Sequence, residues 1–233
     1  MIKVVRANER YKAEHGWLTS NFSFSFANYY DPSNLQFGPL RVFNDDIVQP
    51  NNGFGMHPHK EMEIVSIVLQ GQLKHEDSEG HTAITQFGEI QRMSAGTGIF
   101  HSEVNPSKAE PVSFLQLWIL PDKENLQPSY QKTKFPIEKM KNNLLPVVSK
   151  NSSENVAYIQ QDTTLYLSDL EVGNKSTYTQ ESDRKIYLFV IDGEIVLNNQ
   201  CTLMTRDTAR ITDTTTLFID AKETTRFLLI DLP

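Results

Sequence analysis

Two short motifs in the 233-residue chain combine side chains that bind transition metals, His57-Pro-His59 and His101-Ser-Glu103. On an extended strand, residues i and i+2 project from one face, with successive residues about 3.3 Å apart along the chain. Each motif therefore offers two ligand atoms on one side of one strand. If the two strands are neighbours, three imidazoles and one carboxylate line the same interior. That set suits a divalent transition ion: imidazole accepts iron, copper, nickel or zinc, and the carboxylate adds hard character. Four protein ligands on a six-coordinate ion leave two positions for water, substrate or dioxygen, which favours catalysis over a structural plug.

The other histidines carry less. His75 and His81 flank the charged turn Glu76-Asp-Ser-Glu-Gly80 and read as a solvated hairpin tip, while His15 reads as structural. No histidine follows His101, so histidine chemistry belongs to the first half. The single cysteine, Cys201, excludes an intrachain disulfide and any zinc site needing two thiolates. It has no basic neighbour in sequence and reads as an ordinary thiol. With 29 acidic against 22 basic side chains and a net charge of −7, the chain lacks the basic face that direct nucleic-acid or anionic-membrane binding requires. No apolar run approaches the roughly 18 residues of a membrane helix, and the N-terminal stretch is interrupted by charges where a signal peptide needs an apolar block. A cytoplasmic protein is expected. Walker A, dinucleotide-binding and G-x-S-x-G patterns are absent.

The elements that must position the two motifs have the periodicity of strands. Phe22, Phe24 and Phe26 alternate with polar residues and read as core, and Met62–Leu69 is a β-branched run ending near Gly71. Further apolar segments follow at 82–87, 90–93 and 112–120, then at 164–170, 185–192, 194–198, 208–211, 216–220 and 226–231. Short strands at close spacing predict an all-β chain, a sandwich or barrel with few short helices. One short helix is expected around Pro136–Leu145. The polar, proline-bounded stretch 121–136 reads as a linker, its core at 126–136 separating domains at 1–125 and 137–233. The two halves echo each other: Ser66–Leu73 and Leu188–Ile195 are both a buried strand turning at glycine, Gly71 or Gly193, into a second strand.

The segment HPHKEMEIVSIVLQG followed by GEIQRMSAGTGIFHSEVN resembles the two motifs of the cupin superfamily. More narrowly, residues 15–120 resemble the pirin family, through HGWLTSNFSFSFANYYDP, FGPLRVFNDD, GFGMHPH and QRMSAGTGIFHSE. The resemblance implies a bicupin of two consecutive β-barrel (jelly-roll) domains. It also implies a metal in the first barrel bound by His57, His59, His101 and Glu103, with iron(II) placed first and copper, nickel, zinc, manganese or cobalt as alternatives. A general cupin takes its carboxylate from the first motif, where Glu61 or Glu63 would serve. Glu63 lies about 13 Å along a straight strand from His59, however, and would need a bend or bulge to reach the ion. Glu103 needs no such device, and pirins use that position.

The second barrel is expected to be metal-free: Thr179 and Glu181 stand opposite His57 and His59, and Ile219 and Ala221 opposite His101 and Glu103. Some bacterial pirins, of the short type that this chain resembles, show quercetin 2,3-dioxygenase activity. The activity implied is therefore cleavage of a flavonol by dioxygen, releasing carbon monoxide and a depside, with Glu103 as the catalytic base. Phe54, Met56 and Phe100, next to the motifs, are candidate walls of the pocket for a small aromatic substrate. The second reading, also from the family, is a non-enzymatic, metal-containing regulator that senses redox state and binds a protein partner.

Overall fold

A computed structural model describes residues 1–233. The chain is all-β apart from two 3-10 turns, Ala7–Glu9 and Ile137–Met140. It divides into two compact units. One contains Tyr11–Phe135 and Lys150–Gln161, the other Met1–Arg10, Pro136–Ser149 and Asp162–Pro233.

The first of these units holds both histidine motifs. Its larger sheet has seven strands in the order Ser129–Lys134, Glu89–Ser94, Glu63–Gln70, Val112–Ile119, Leu40–Val48, Leu18–Phe22 and Tyr11–Glu14. Its smaller sheet runs Gly53–His59, Ile99–Val104, Gln72–Asp77 and Thr82–Gln86. Leu18, Val48, Val68, Val112 and Phe114 from the larger sheet pack with Leu73 and Phe54 of the smaller one. Fully burying each such side chain contributes roughly 1.5–3 kcal/mol, so this shared apolar layer holds the two sheets together.

The other unit repeats the plan. Its longer sheet carries Ile2–Val5, Thr208–Ile211, Lys185–Asp192, Thr225–Leu232, Thr164–Leu170 and Leu145–Ser149 in that order, and its four-stranded sheet runs Lys175–Thr179, Thr216–Ala221, Glu194–Leu197 and Cys201–Met204. The echo between halves is thus one of topology: in each unit a buried strand turns at a glycine of positive φ, +80° at Gly71 and +96° at Gly193, into the third strand of the smaller sheet. Ile219 and Ala221 lie within the apolar core of their unit.

Three segments differ from the sequence expectation. The linker expected at 126–136 contains the strand Ser129–Lys134, paired with Glu89–Ser94. It is the edge of its sheet, and its lysines are the polar composition that keeps an edge strand from pairing further. The helix expected at Pro136–Leu145 is a single 3-10 turn; Asn142 adopts a left-handed φ of +52°, and Leu145 already begins a strand. The boundaries at 1–125 and 137–233 also differ from the compact units, since Ile2–Val5 pairs with Thr208–Ile211.

Gly53 begins the strand that carries His57 and His59. A Cβ there would lie 2.4 Å from the Glu103 carbonyl oxygen and from the Val104 Cα. Both are backbone atoms of the facing strand and cannot rotate away. Gly53→Ala should therefore destabilise the protein by about 1–3 kcal/mol, the usual cost of overpacking. That is several degrees of Tm for a chain of this size. Thermal denaturation checks this, and an unchanged midpoint would contradict the close approach.

Candidate metal centre

The strands Gly53–His59 and Ile99–Val104 pair antiparallel, with His57 opposite His101 and His59 opposite Ile99. Directly opposed residues share a face of the sheet, so His57 and His101 point the same way and His59 follows two residues on. The register then slips: Glu103 is opposite Phe54, three residues from His57, although it is only two from His101. This bulge absorbs one residue on the outer strand. It turns Phe54 to the inner side, which strict alternation from His57 would have denied it. Pro58 is tolerated between the two histidines because its strand is the edge of the sheet.

The three rings form a compact triangle, with centroids 4.8 Å apart for His57–His59, 4.5 Å for His57–His101 and 4.8 Å for His59–His101. One nitrogen from each lies within 4.8 Å of the others. The Nδ1–H of His57 donates to the Gly55 carbonyl at 2.7 Å, which leaves Nε2 as the lone-pair nitrogen. Nε2 of His101 is buried with no hydrogen-bond partner, which is costly unless a ligand satisfies it. Burial, followed by the neighbouring imidazoles, pushes His59 and His101 down to about 3. Both rings are therefore neutral near pH 7, the form that binds a metal. The donor set and the orphaned nitrogen fit a divalent transition ion.

Glu103 is buried beside the triangle and held on both oxygens. Oε1 accepts from Ser66 Oγ at 2.8 Å and from Gln91 Nε2 at 2.7 Å, and Oε2 accepts from Gln116 Nε2. The competing carboxylates are engaged elsewhere. Glu61 accepts the backbone N–H of Asn125, and buried Glu63 accepts that of Gln160.

A cavity of about 260 Å³ opens beside His57, His59 and Glu103, walled by Phe26, Phe54 and Trp118 and carrying Asn44, Asp46 and Gln116. It shares Phe26, Asn44, Asp46 and Phe54 with a second hollow of about 310 Å³ that reaches His15 and Trp17. Asn44 Oδ1 is buried without a partner. Burial pushes the Asp46 carboxyl up to about 8; the Ser20 hydroxyl donated to it works against that rise, and Asp45 and Glu103 add to it.

The pirin family model matches residues 4–119, and that of the quercetinase C-terminal cupin domain matches residues 146–232. The chain is 40% identical to a quercetin 2,3-dioxygenase of Escherichia coli K12, over all of its own length and 99% of the relative's. The chain belongs to the pirin family. The crystal structure of YhhW from Escherichia coli superposes with a TM-score of 0.96 at 39% identity, covering 100% of this chain and 98% of that one. A structure of the bacterial pirin YhhW in complex with nickel(II) matches with a TM-score of 0.94 at 39% identity, covering 100% and 99%.

Within this pirin fold there is one divalent-metal site, a histidine and glutamate cluster in the N-terminal region. His57, His59 and His101 come together as a group, and His101 and Glu103 also group with His75. The two groups share residues and so describe one locality. Of the aromatic candidates, Phe54 lines the cavity. Met56 and Phe100 alternate with the histidines and face outward, 57% and 51% exposed. Phe22 and Phe24 are core, whereas Phe26 lines the cavity. His75 departs most from expectation. It is fully buried, not at a solvated tip, because its strand pairs with Ile99–Val104 and sets it opposite Glu103. Sequence reasoning missed Asn44, Asp46, Ser66, Gln91 and Gln116. Their only signal was polar residues inside strands that are otherwise apolar.

Asp46 makes the fold pH-sensitive. Above the unfolded carboxyl value of about 3.9 the unfolded chain has lost this proton while the folded state keeps it. The contribution is therefore fully present at low pH and is lost as pH rises toward about 8. In metal-free protein, Asp46→Asn should flatten the stability–pH curve between pH 4 and pH 8, as read by denaturant titration. Parallel curves for the two proteins would contradict the assignment.

Proposed function

We propose that His57, His59, His101 and Glu103 together hold the ion, and that the protein is a metal-dependent dioxygenase of the quercetin 2,3-dioxygenase type. The observation that carries this reading is three clustered imidazoles and a carboxylate beside a cavity with aromatic walls. The cytoplasmic assignment and the closure of each unit into a β-barrel belong to the same reading. No helix is long and apolar enough to cross a membrane.

The substrate is a flavonol. Phe26, Phe54 and Trp118 offer apolar faces to its rings, and Asn44 Oδ1 offers an acceptor to a hydroxyl. When bound, the ion supplies Lewis acidity toward the 3-hydroxyl and an electron path to dioxygen. Glu103 is the base. A carboxylate has about four lone-pair sites, and Ser66, Gln91 and Gln116 occupy three. One remains on Oε2, so Glu103 at any moment either ligates or accepts the substrate proton there. Gln116 and Ser66 keep that lone pair aimed as the role changes. In the overall reaction two oxygen atoms enter the flavonol and one carbon leaves as carbon monoxide, giving a depside.

A second reading rests on the exposed Met56 and Phe100 on the outer side of the strands that carry the ligands. There the same site would regulate docking of a protein partner. Partner capture that depends on metal oxidation state, with no flavonol turnover, would favour it.

His101→Ala should lower bound metal and reduce flavonol-dependent oxygen uptake to the level of metal-depleted protein. Glu103→Gln removes the base while keeping the side chain's size, and should lower kcat by about 10²–10⁴-fold, the usual range for lost general-base catalysis. An oxygen electrode with elemental analysis reads both. Full turnover in either variant would contradict the proposal.

A further inference from the structure

Behind the metal centre, His101, His75, Asp77 and His81 form a continuous chain that runs from the buried triangle to the surface. Nδ1 of His101 lies 3.4 Å from Nδ1 of His75. Nε2 of His75 lies 3.0 Å from Asp77 Oδ2, and Nδ1 of His81 lies 3.0 Å from the same oxygen. His75 and Asp77 are fully or nearly fully buried, whereas the His81 side chain is 42% exposed.

The protons in this chain can be assigned from one end. Asp77 Oδ1 accepts the backbone N–H groups of Glu79 and His81, each at 3.0 Å. The carboxylate is surrounded by donors, so His75 meets it with Nε2–H. A ring whose single proton is directed at Asp77 through Nε2 presents Nδ1 as an acceptor. The facing nitrogen of His101 must therefore carry its proton on Nδ1. That leaves the lone pair of His101 on Nε2, the same buried atom that has no partner in the protein. One hydrogen-bond direction, set at Asp77, decides which nitrogen of His101 is offered.

The geometry is clamped by Tyr130. Its ring stacks on His75 at 4.5 Å and 19° and on His81 at 5.4 Å and 25°. Its hydroxyl donates to Gln91 Oε1 at 3.3 Å, and Gln91 donates to Glu103. The same tyrosine thus braces His101 through His75, and Glu103 through Gln91.

We propose that His75 and Asp77 are a buried positioning pair that fixes the tautomer and orientation of His101, and that His75 itself is not a ligand. The proposal rests on the reading of His101 as a metal ligand. Both nitrogens of His75 are already committed, one to Asp77 and one to His101, so acting as a ligand would break the chain. Outer partners of this kind typically change metal affinity 10- to 100-fold.

The test uses the full chain. Long-range proton–nitrogen NMR correlations of the metal-free protein should show His101 protonated on Nδ1 and His75 on Nε2; the opposite tautomer at either ring overturns the proposal. Nickel(II) affinity is then measured by chelator competition for the wild type and for His75→Leu, His75→Gln and His101→Ala. His75→Leu, which removes the acceptor, should bind 10- to 100-fold more weakly. His75→Gln can accept from His101 through Oε1 and donate to Asp77 through Nε2, and should recover most of that loss. Unchanged affinity in His75→Leu, or a glutamine variant no better than leucine, overturns the positioning role. If His75→Leu fails to fold, the wild-type tautomers and the glutamine variant still decide the matter. If His101→Ala binds nickel(II) as tightly as the wild type, the underlying ligand reading is what fails.

Discussion

Antiparallel pairing between Gly53–His59 and Ile99–Val104 brings the two histidine motifs onto one face, and most of the site depends on its register. His57 stands opposite His101, and a one-residue slip of a strand would send every side chain to the other side of the sheet. Two local features hold the register. Gly53 lets the backbones of Glu103 and Val104 approach more closely than any Cβ would allow. The bulge between His101 and Glu103 then brings Phe54 inward beside the carboxylate, as a wall of the cavity. The apolar layer of Leu18, Val48, Val68, Leu73, Val112 and Phe114 keeps the smaller sheet seated on the larger one, so that cavity walls from both sheets stay in place.

Around that pairing, the interior of the larger sheet is polar where a core would ordinarily be apolar. Ser66, Gln91 and Gln116 are buried on adjacent strands and all converge on Glu103. Burying such groups is unfavourable unless each finds a partner. Here they partner one another and the carboxylate, so the cost of burial is offset by a fixed orientation at Glu103. His101 Nε2 is left over beside the triangle, and Asn44 Oδ1 and Trp118 Nε1 are left over at residues lining the cavity. Three unpaired atoms at one site point to an ion and a substrate.

Much of this was legible in the sequence, in proportion to how local each signal was. The i, i+2 spacing of His57/His59 and of His101/Glu103 is a property of a single strand, and it pointed to the cluster directly. Strands with apolar runs or apolar alternation, such as Lys185–Asp192 and Thr164–Leu170, appeared where periodicity put them. The strand Ser129–Lys134 did not, because an edge strand with lysines has the composition of a linker. That misreading also hid Tyr130, which clamps His75 and His81. His75 looked like a hairpin tip for a related reason: its burial comes from cross-strand pairing with residues 101–104, a non-local fact. Asp46 and Asn44 gave as little signal, since the polar run Asn44-Asp45-Asp46 inside a strand carries no period.

Chemistry at this site should require one ion per chain. This requirement is tested most directly by titrating metal-depleted protein with iron(II) while following flavonol-dependent oxygen consumption and bound metal together. The rate should rise in proportion to bound metal and stop rising at one ion per chain. A rate independent of bound metal, or one that keeps rising to two ions per chain, would contradict it.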